Sequence, residues 1–155
     1  MKSVTLRSMR WKLFLLGFVK IPMIHFVRPK LIDVNDTKIT IRIPFRRRTK
    51  NHLNSMYFGA LAVGADLAAG LHVYYLSERL GNNISLAFKS TTGQFLKRPE
   101  SDVYFYCEEG AFILDEIKSA KISQERRNFK VMVKAYNTSK EEVAIFEMEV
   151  SIRVK

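Results

Sequence analysis

A chain of 155 residues that is 47% apolar and 26% charged has the composition of one folded domain, not of a disordered polymer. Its single cysteine, Cys107, rules out an intrachain disulfide and any cysteine-rich zinc site, and is compatible with a reducing, cytoplasmic setting. The net charge of +11 is one-sided, because residues 1–50 hold 13 Lys and Arg against Asp33 and Asp36 alone, while the rest of the chain is balanced.

A basic first third attracts polyanions, whether nucleic acid, anionic lipid or a phosphorylated small molecule, and charge alone does not choose among them. Within it, Lys20 ends the apolar run Leu13–Val19. That run is too short to span a bilayer and no small-residue cleavage site follows, so an amphipathic or core-packing helix is predicted. Trp11, Phe14, Leu15 and Phe18 recur at three- and four-residue spacing, with Arg10 and Lys12 nearby. Such a stripe also leaves peripheral membrane contact through residues 1–30 open. Pro22 and Pro29 bracket a connector, which separates a helical extension, residues 1–29, from a main domain, residues 30–155.

"KITIRIPF" alternates Ile39, Ile41 and Ile43 against Lys38, Thr40 and Arg42, the signature of a half-buried strand, and "LIDVND" before it predicts a hairpin partner. From Met56 to Leu76 the pattern becomes helical, with no proline and almost no charge. After the turn "GNN" at residues 81–83, the remainder reads as strands. Ile84, Leu86 and Phe88 share one face, as do Val103, Phe105 and Cys107. Phe129, Val131, Val133 and Ala135 form a third set, and Phe146, Met148, Val150, Ile152 and Val154 a fourth. A change of phase between Ile145 and Phe146 predicts a bulge there. A helix that is apolar all round must be enclosed. The expectation is therefore an α+β fold in which a curved antiparallel sheet wraps one long central helix.

Inside that helix sits a lone carboxylate, Asp66. Its neighbours three and four residues away are Ala62, Val63, Ala69 and Gly70, so no cation on the same helix pairs with it. An unpaired acid in apolar surroundings has a raised pKa and suits general-base or nucleophilic work. Three other readings stand beside that one: an acid satisfied by a facing strand, an acid at a polar subunit interface, or a transmembrane span. The last fits the length, but a central acid, glycines and His72 all penalise insertion.

Asn51, then five residues, then Tyr57-Phe58-Gly59, with Asp66 nine positions after Tyr57, resembles the core pattern of the hotdog-fold acyl-CoA thioesterase superfamily. There an asparagine precedes His-Gly-Gly and an acid follows in the helix. "FLKRPESDV" at residues 95–103 looks like the phenylacetyl-CoA-type branch. "RRTKNHLNSMYFGAL" with "ADLAAG" is similar to an uncharacterised thioesterase-like branch with extra N-terminal helices. The resemblance covers residues 30–155 and implies hydrolysis of acyl-CoA. Asp66 would activate water or attack the thioester, and the Phe58 and Gly59 amides would hold the thioester oxygen. Asn51 would orient the substrate or the lytic water. Tyr57 stands where the family has its histidine and Phe58 where it has its first glycine, so Tyr57 either donates to the carbonyl or packs.

Arg46, Arg47 and Arg48, with Lys97 and Arg98, would hold the phosphates of coenzyme A, which enters as part of the substrate; no separate cofactor or metal is implied. His52 reads as a loop residue, and His25 and His72 as structural. The resemblance also implies a homodimer or tetramer with the long helices facing each other across Ala62, Ala65, Ala69 and Gly70. The substituted histidine motivates an alternative, a non-catalytic protein that binds acyl-CoA or fatty acyl groups in the same place. No nucleic-acid-reading motif accompanies the basic residues, so nucleic acid is not an expected partner.

Overall fold

The structure is a computed structural model that describes residues 1–155. Helix α1, Leu6–Leu15, starts at Thr5, whose hydroxyl accepts the Ser8 amide at 3.2 Å. It continues through a wide turn, Leu16–Lys20, and reverses into α2, Pro22–Val27. The connector expected between Pro22 and Pro29 is thus itself a short helix, with Pro22 in its first turn, where its missing N–H costs nothing. Gly17 is required at the reversal, because a Cβ there would press on the His25 backbone.

This helical hairpin reaches the core through Met9, Leu13, Ile24 and Val27, all buried. The stripe picked out in the sequence, Trp11, Phe14, Leu15 and Phe18, points outward instead. The helix carries two apolar stripes, and the slimmer one, running through Leu6, Met9, Leu13 and Leu16, packs against the domain.

Six antiparallel strands form one sheet: β1 Lys30–Val34, β2 Ile39–Ile43, β3 Ile84–Phe95, β4 Val103–Cys107, β5 Arg127–Tyr136 and β6 Glu142–Val154. They lie in the order β1-β2-β4-β5-β6-β3. Helix α3, Phe58–Arg79, packs across the inner face of this sheet. The alternations decide which residues meet it: Ile39, Ile41, Ile43, Val103, Phe105, Cys107, Val131, Val133 and Val150 are fully enclosed. Truncating a side chain such as Phe105 there would cost roughly 3–5 kcal/mol. The central helix with its curved sheet and N-terminal helices is the hotdog fold. By length and composition α3 could cross a membrane, but two thirds of its most apolar window, 67%, is buried inside the protein.

Two expectations need correction. Residues 110–123 are helical: α4, Gly110–Ser123, lies between β4 and β5 and packs Ile113, Ile117 and Ala120 into the core at three- and four-residue spacing. It contacts α3 and β6, and at its start Gly110 lets its backbone meet the Asp36 carbonyl in the turn between β1 and β2. The bulge is also displaced. Strand β6 pairs regularly through Ile145 and Phe146 on both sides, and the irregularities fall between Phe88 and Ser90 and between Ala135 and Tyr136.

The sheet's two edges differ. Helix α1 packs on β1. Strand β3 is uncovered: from Lys89 to Phe95 every residue is exposed.

Candidate active site

The loop before α3 is built largely from its own polar groups. Thr49, buried at the end of the single turn Arg47–Thr49, donates its hydroxyl to the Pro44 carbonyl at 2.8 Å and accepts the Arg46 amide at 3.0 Å. The Tyr57 amide returns to the Thr49 carbonyl at 2.7 Å, which closes the loop and delivers the chain to the helix start. Asn51 folds inward. Its carbonyl oxygen accepts from Leu53 N, Ser55 N and Ser55 Oγ, and its amide donates to Ser55 Oγ at 3.0 Å. The side chain expected to orient substrate is thus engaged in shaping the loop.

A second loop, 96–102, is joined to the first. The Met56 amide donates to the Pro99 carbonyl at 2.8 Å, and the Phe45 amide to Asp102 at 2.8 Å. Arg98 in this second loop, like Arg46, Arg47 and Arg48 in the first, is exposed and without an ion-pair partner. Lys97 differs, since its ammonium pairs with Glu141.

Tyr57 takes the N-cap position of α3 without offering a side-chain cap. The Phe58 and Gly59 amides head the helix with no intrahelical acceptor, whereas those of Ala60 and Leu61 bond to the Tyr57 carbonyl. Unpartnered N–H groups at the positive end of a helix dipole favour developing negative charge. Above them is an aromatic cluster. The Tyr57 ring lies over Gly59, where a Cβ would overlap it, and is 4.7 Å from the Phe58 ring. Phe58 continues edge-on to Phe95, and Phe95 to Phe146.

Around α3, the less buried positions form one stripe: Gly59, Ala62, Val63, Asp66, Gly70 and Tyr74. The Gly70 end of it adjoins Phe88 of β3. Asp66 is half-buried on this stripe and has no hydrogen-bond or ion-pair partner. Burial alone pushes its carboxyl from the ordinary 3.8 up to about 6. It is therefore not sealed among structural donors. Two cavities, about 780 Å³ along Tyr104, Tyr106 and Tyr136 and about 370 Å³ beneath the N-terminal hairpin, are lined by other residues. His72 is fully buried, with Nε2 3.1 Å from the Asn35 carbonyl, and burial pushes its pKa down to about 4, so the ring is a neutral structural element. His25 packs edge-on to Phe14 and Phe18.

The tyrosine-lined cavity on the sheet's outer face has no signature in the sequence. Tyr104 and Tyr106 read only as outward residues, and they meet Tyr136 through the Tyr104–Tyr136 register of β4 and β5, which no local pattern announces.

Solved structures share this architecture. A Chlorobaculum tepidum protein of unknown function superimposes with a TM-score of 0.85 at 12% identity, covering 99% of both chains. A Pseudomonas aeruginosa protein of unknown function, called a probable thioesterase, gives 0.79 at 17% identity over 98% of this chain and 97% of its own. A Haemophilus influenzae thioesterase gives 0.72 at 12% identity over 99% and 93%. At these identities the likeness establishes the fold. No curated protein matches the sequence. The model of the family described as Domain of unknown function (DUF4442) matches residues 10–154, nearly the whole chain, and the protein therefore belongs to the DUF4442 family.

Proposed function

We propose that this chain is a thioester hydrolase acting on acyl-CoA, assembled from two copies, with Asp66 as the base that activates water. The observation that carries the reading is the unpartnered Asp66 carboxylate, held by burial at a pKa of about 6 on the outward stripe of α3. Such a group is mostly ionised at neutral pH yet more basic than an ordinary aspartate, which is what water activation asks of it. The thioesterase names of similarly folded proteins agree with this choice.

In the proposed reaction Asp66 takes a proton from water as the oxygen attacks the thioester carbonyl. The Phe58 and Gly59 amides receive the oxyanion, its collapse breaks the C–S bond, and the proton held by Asp66 passes to the departing sulfur, which leaves free acid and the thiol of coenzyme A. Arg46, Arg47, Arg48 and Arg98 would hold the phosphates. Lys97 is the weaker candidate, being paired with Glu141. Asn51 acts through the shape of its loop.

Helix geometry favours a two-chain site. Gly59 and Asp66 are seven residues apart, about 10 Å of rise along α3. Base and oxyanion donors must each come within about 3 Å of the reacting atoms. One chain does not bring both to one carbonyl, whereas two antiparallel α3 helices would set each Asp66 near the partner's helix start. The small residues Ala62 and Gly70 permit close approach, and the bare β3 edge is a strand that needs covering.

Asp66→Asn should lose at least about 100-fold in thiol release across a panel of acyl-CoAs. Phe58→Pro removes one oxyanion donor at a helix position that tolerates proline. Equal mixing of these two inactive chains should restore about one quarter of the parent sites, since half the dimers would be mixed and each would hold one intact site. Mixing without any recovery would refute the shared site, and full activity of Asp66→Asn would refute the mechanism. The Tyr57 ring lying over Gly59 favours one second reading, acyl-CoA binding without turnover. Tight binding across the panel with no thiol released would establish it.

A further inference from the structure

The α1–α2 hairpin turns away from the core a set of side chains that soluble surfaces seldom gather. Trp11 is 60% exposed, Phe18 62% and Met23 67%, and Phe14, Val19 and Phe26 are exposed beside them. Trp11 stacks on Phe14 at 5.5 Å, and Phe14 on Phe18 at 5.6 Å, so the rings form one ridge. The buried face of the same hairpin is complete without them, through Met9, Leu13, Ile24 and Val27. A contiguous apolar patch of this kind marks a contact surface.

Its rim is cationic. Arg7, Lys20 and Arg28 flank the ridge in sequence and are exposed without ion-pair partners. The Arg48 guanidinium lies 5.4 Å from the Phe26 ring, which joins the ridge to the basic run before α3. A groove of about 370 Å³ runs beneath the hairpin, with buried Leu13, Ile24 and Leu31 in its wall and exposed Arg28 and Lys30 beside them. Apolar ridge, single tryptophan and basic rim are the features of a surface that lies in the headgroup layer.

We propose that the outer face of the α1–α2 hairpin docks on membranes that carry anionic headgroups. The ridge enters the boundary between headgroups and acyl chains, and the surrounding cations meet the lipid phosphates and carboxylates. Charge selects this occupant over a second copy: residues 1–29 hold six cations and no acid, so two such faces repel. Nucleic acid would meet the charge but gain nothing from Val19 and Met23, and the rings are stacked on one another, leaving no gap for a base. The face also adjoins β1, across the sheet from the bare β3 edge, so docking and the proposed pairing of chains use different surfaces.

Trp11, the sole tryptophan, reports the event directly. The full chain is titrated with vesicles of phosphatidylcholine alone or with roughly a third phosphatidylserine, following Trp11 emission and co-sedimentation. The expected result is a blue shift and pelleting with the anionic vesicles only, weakening as salt rises. Removing a cation should lower partitioning about 5-fold, so Lys20→Gln with Arg28→Gln loses about 25-fold. Phe18→Ser with Met23→Ser should lose at least about tenfold with an unchanged circular dichroism spectrum, and Val19→Ser supplies a second apolar deletion if that pair misfolds. An unmoved Trp11 spectrum in excess anionic vesicles would overturn the proposal. So would a shift that follows protein concentration without lipid, or an equal shift with a DNA oligonucleotide at matched phosphate. These readouts measure binding alone, so they stand apart from any result on hydrolysis.

Discussion

Replacing Asp66 by asparagine should disable the protein and stabilise it at the same time. In the unfolded chain the carboxyl ionises near 3.8, and in the folded chain near 6, because burial disfavours its charge. Folding then binds protons between those values, and the stability of the parent falls as pH rises from about 4 to about 6 and stays low above. The gap converts to about 3 kcal/mol at 1.36 kcal/mol per pH unit, or about 2 kcal/mol once residual solvent screening is allowed for. Asparagine has a similar shape and no charge to desolvate. For a chain of this length, about 2 kcal/mol corresponds to a rise in Tm of roughly 4–8 °C. Thermal unfolding followed by circular dichroism at pH 8 and pH 4 measures it: the variant should melt higher at pH 8 and close to the parent at pH 4. A gap of equal size at both pH values would show that ionisation of Asp66 is not its cause, and a variant that melts lower at pH 8 would show that the carboxylate has a stabilising partner; either result would remove the basis for assigning it a catalytic role.

Other outcomes follow from the same geometry. If Asp66 acts as an ionised base, kcat/KM should climb about tenfold per pH unit below 6 and level off above it, and a rate that falls with rising pH through 6 would assign it the acid's role instead. Gly64→Ala should lose about 1–3 kcal/mol in urea unfolding, because its Cβ would overlap the Phe105 ring within the core, and Phe105→Leu in the same chain should recover part of that loss. Gly59→Ala should stay within about 0.5 kcal/mol of the parent, since the Tyr57 ring it displaces is at the surface. Cys107 is fully buried, and burial pushes its thiol up to about 12, so Ellman's reagent should react with it only at the rate of unfolding.

Most of the architecture is legible in the sequence because its strands obey a period of two. Val103, Phe105 and Cys107, or Phe146 through Val154, name their own buried face, and the burial agrees residue by residue. Helix α3 is legible because from Phe58 to Leu76 Asp66 is its only charged residue. Helix α4 is not legible because its apolar spacing is short and lies in a chain of strands. The outward turn of Trp11 and Phe18 was not legible either, since α1 has two apolar stripes and only the shape of the sheet edge decides between them. For the candidate site, residue type and spacing predict where α3 starts and that Asp66 has no partner on its own helix. They did not show that Asn51 is engaged by Ser55, that Lys97 is paired with Glu141, or that Tyr57 folds back over Gly59. Each of those depends on where a loop turns or which strands pair.

The contact between Phe105 and Gly64 has a consequence for the acid. With no Cβ at Gly64, the ring rests on the helix backbone like a chock beneath a barrel, and any roll of α3 would drive a side chain into it. Asp66 comes two residues later, about 200° further around the axis. Fixing the bearing of the glycine toward the sheet thereby fixes the bearing of the carboxylate away from it, and the phenylalanine at the centre of the sheet aims a group it never touches.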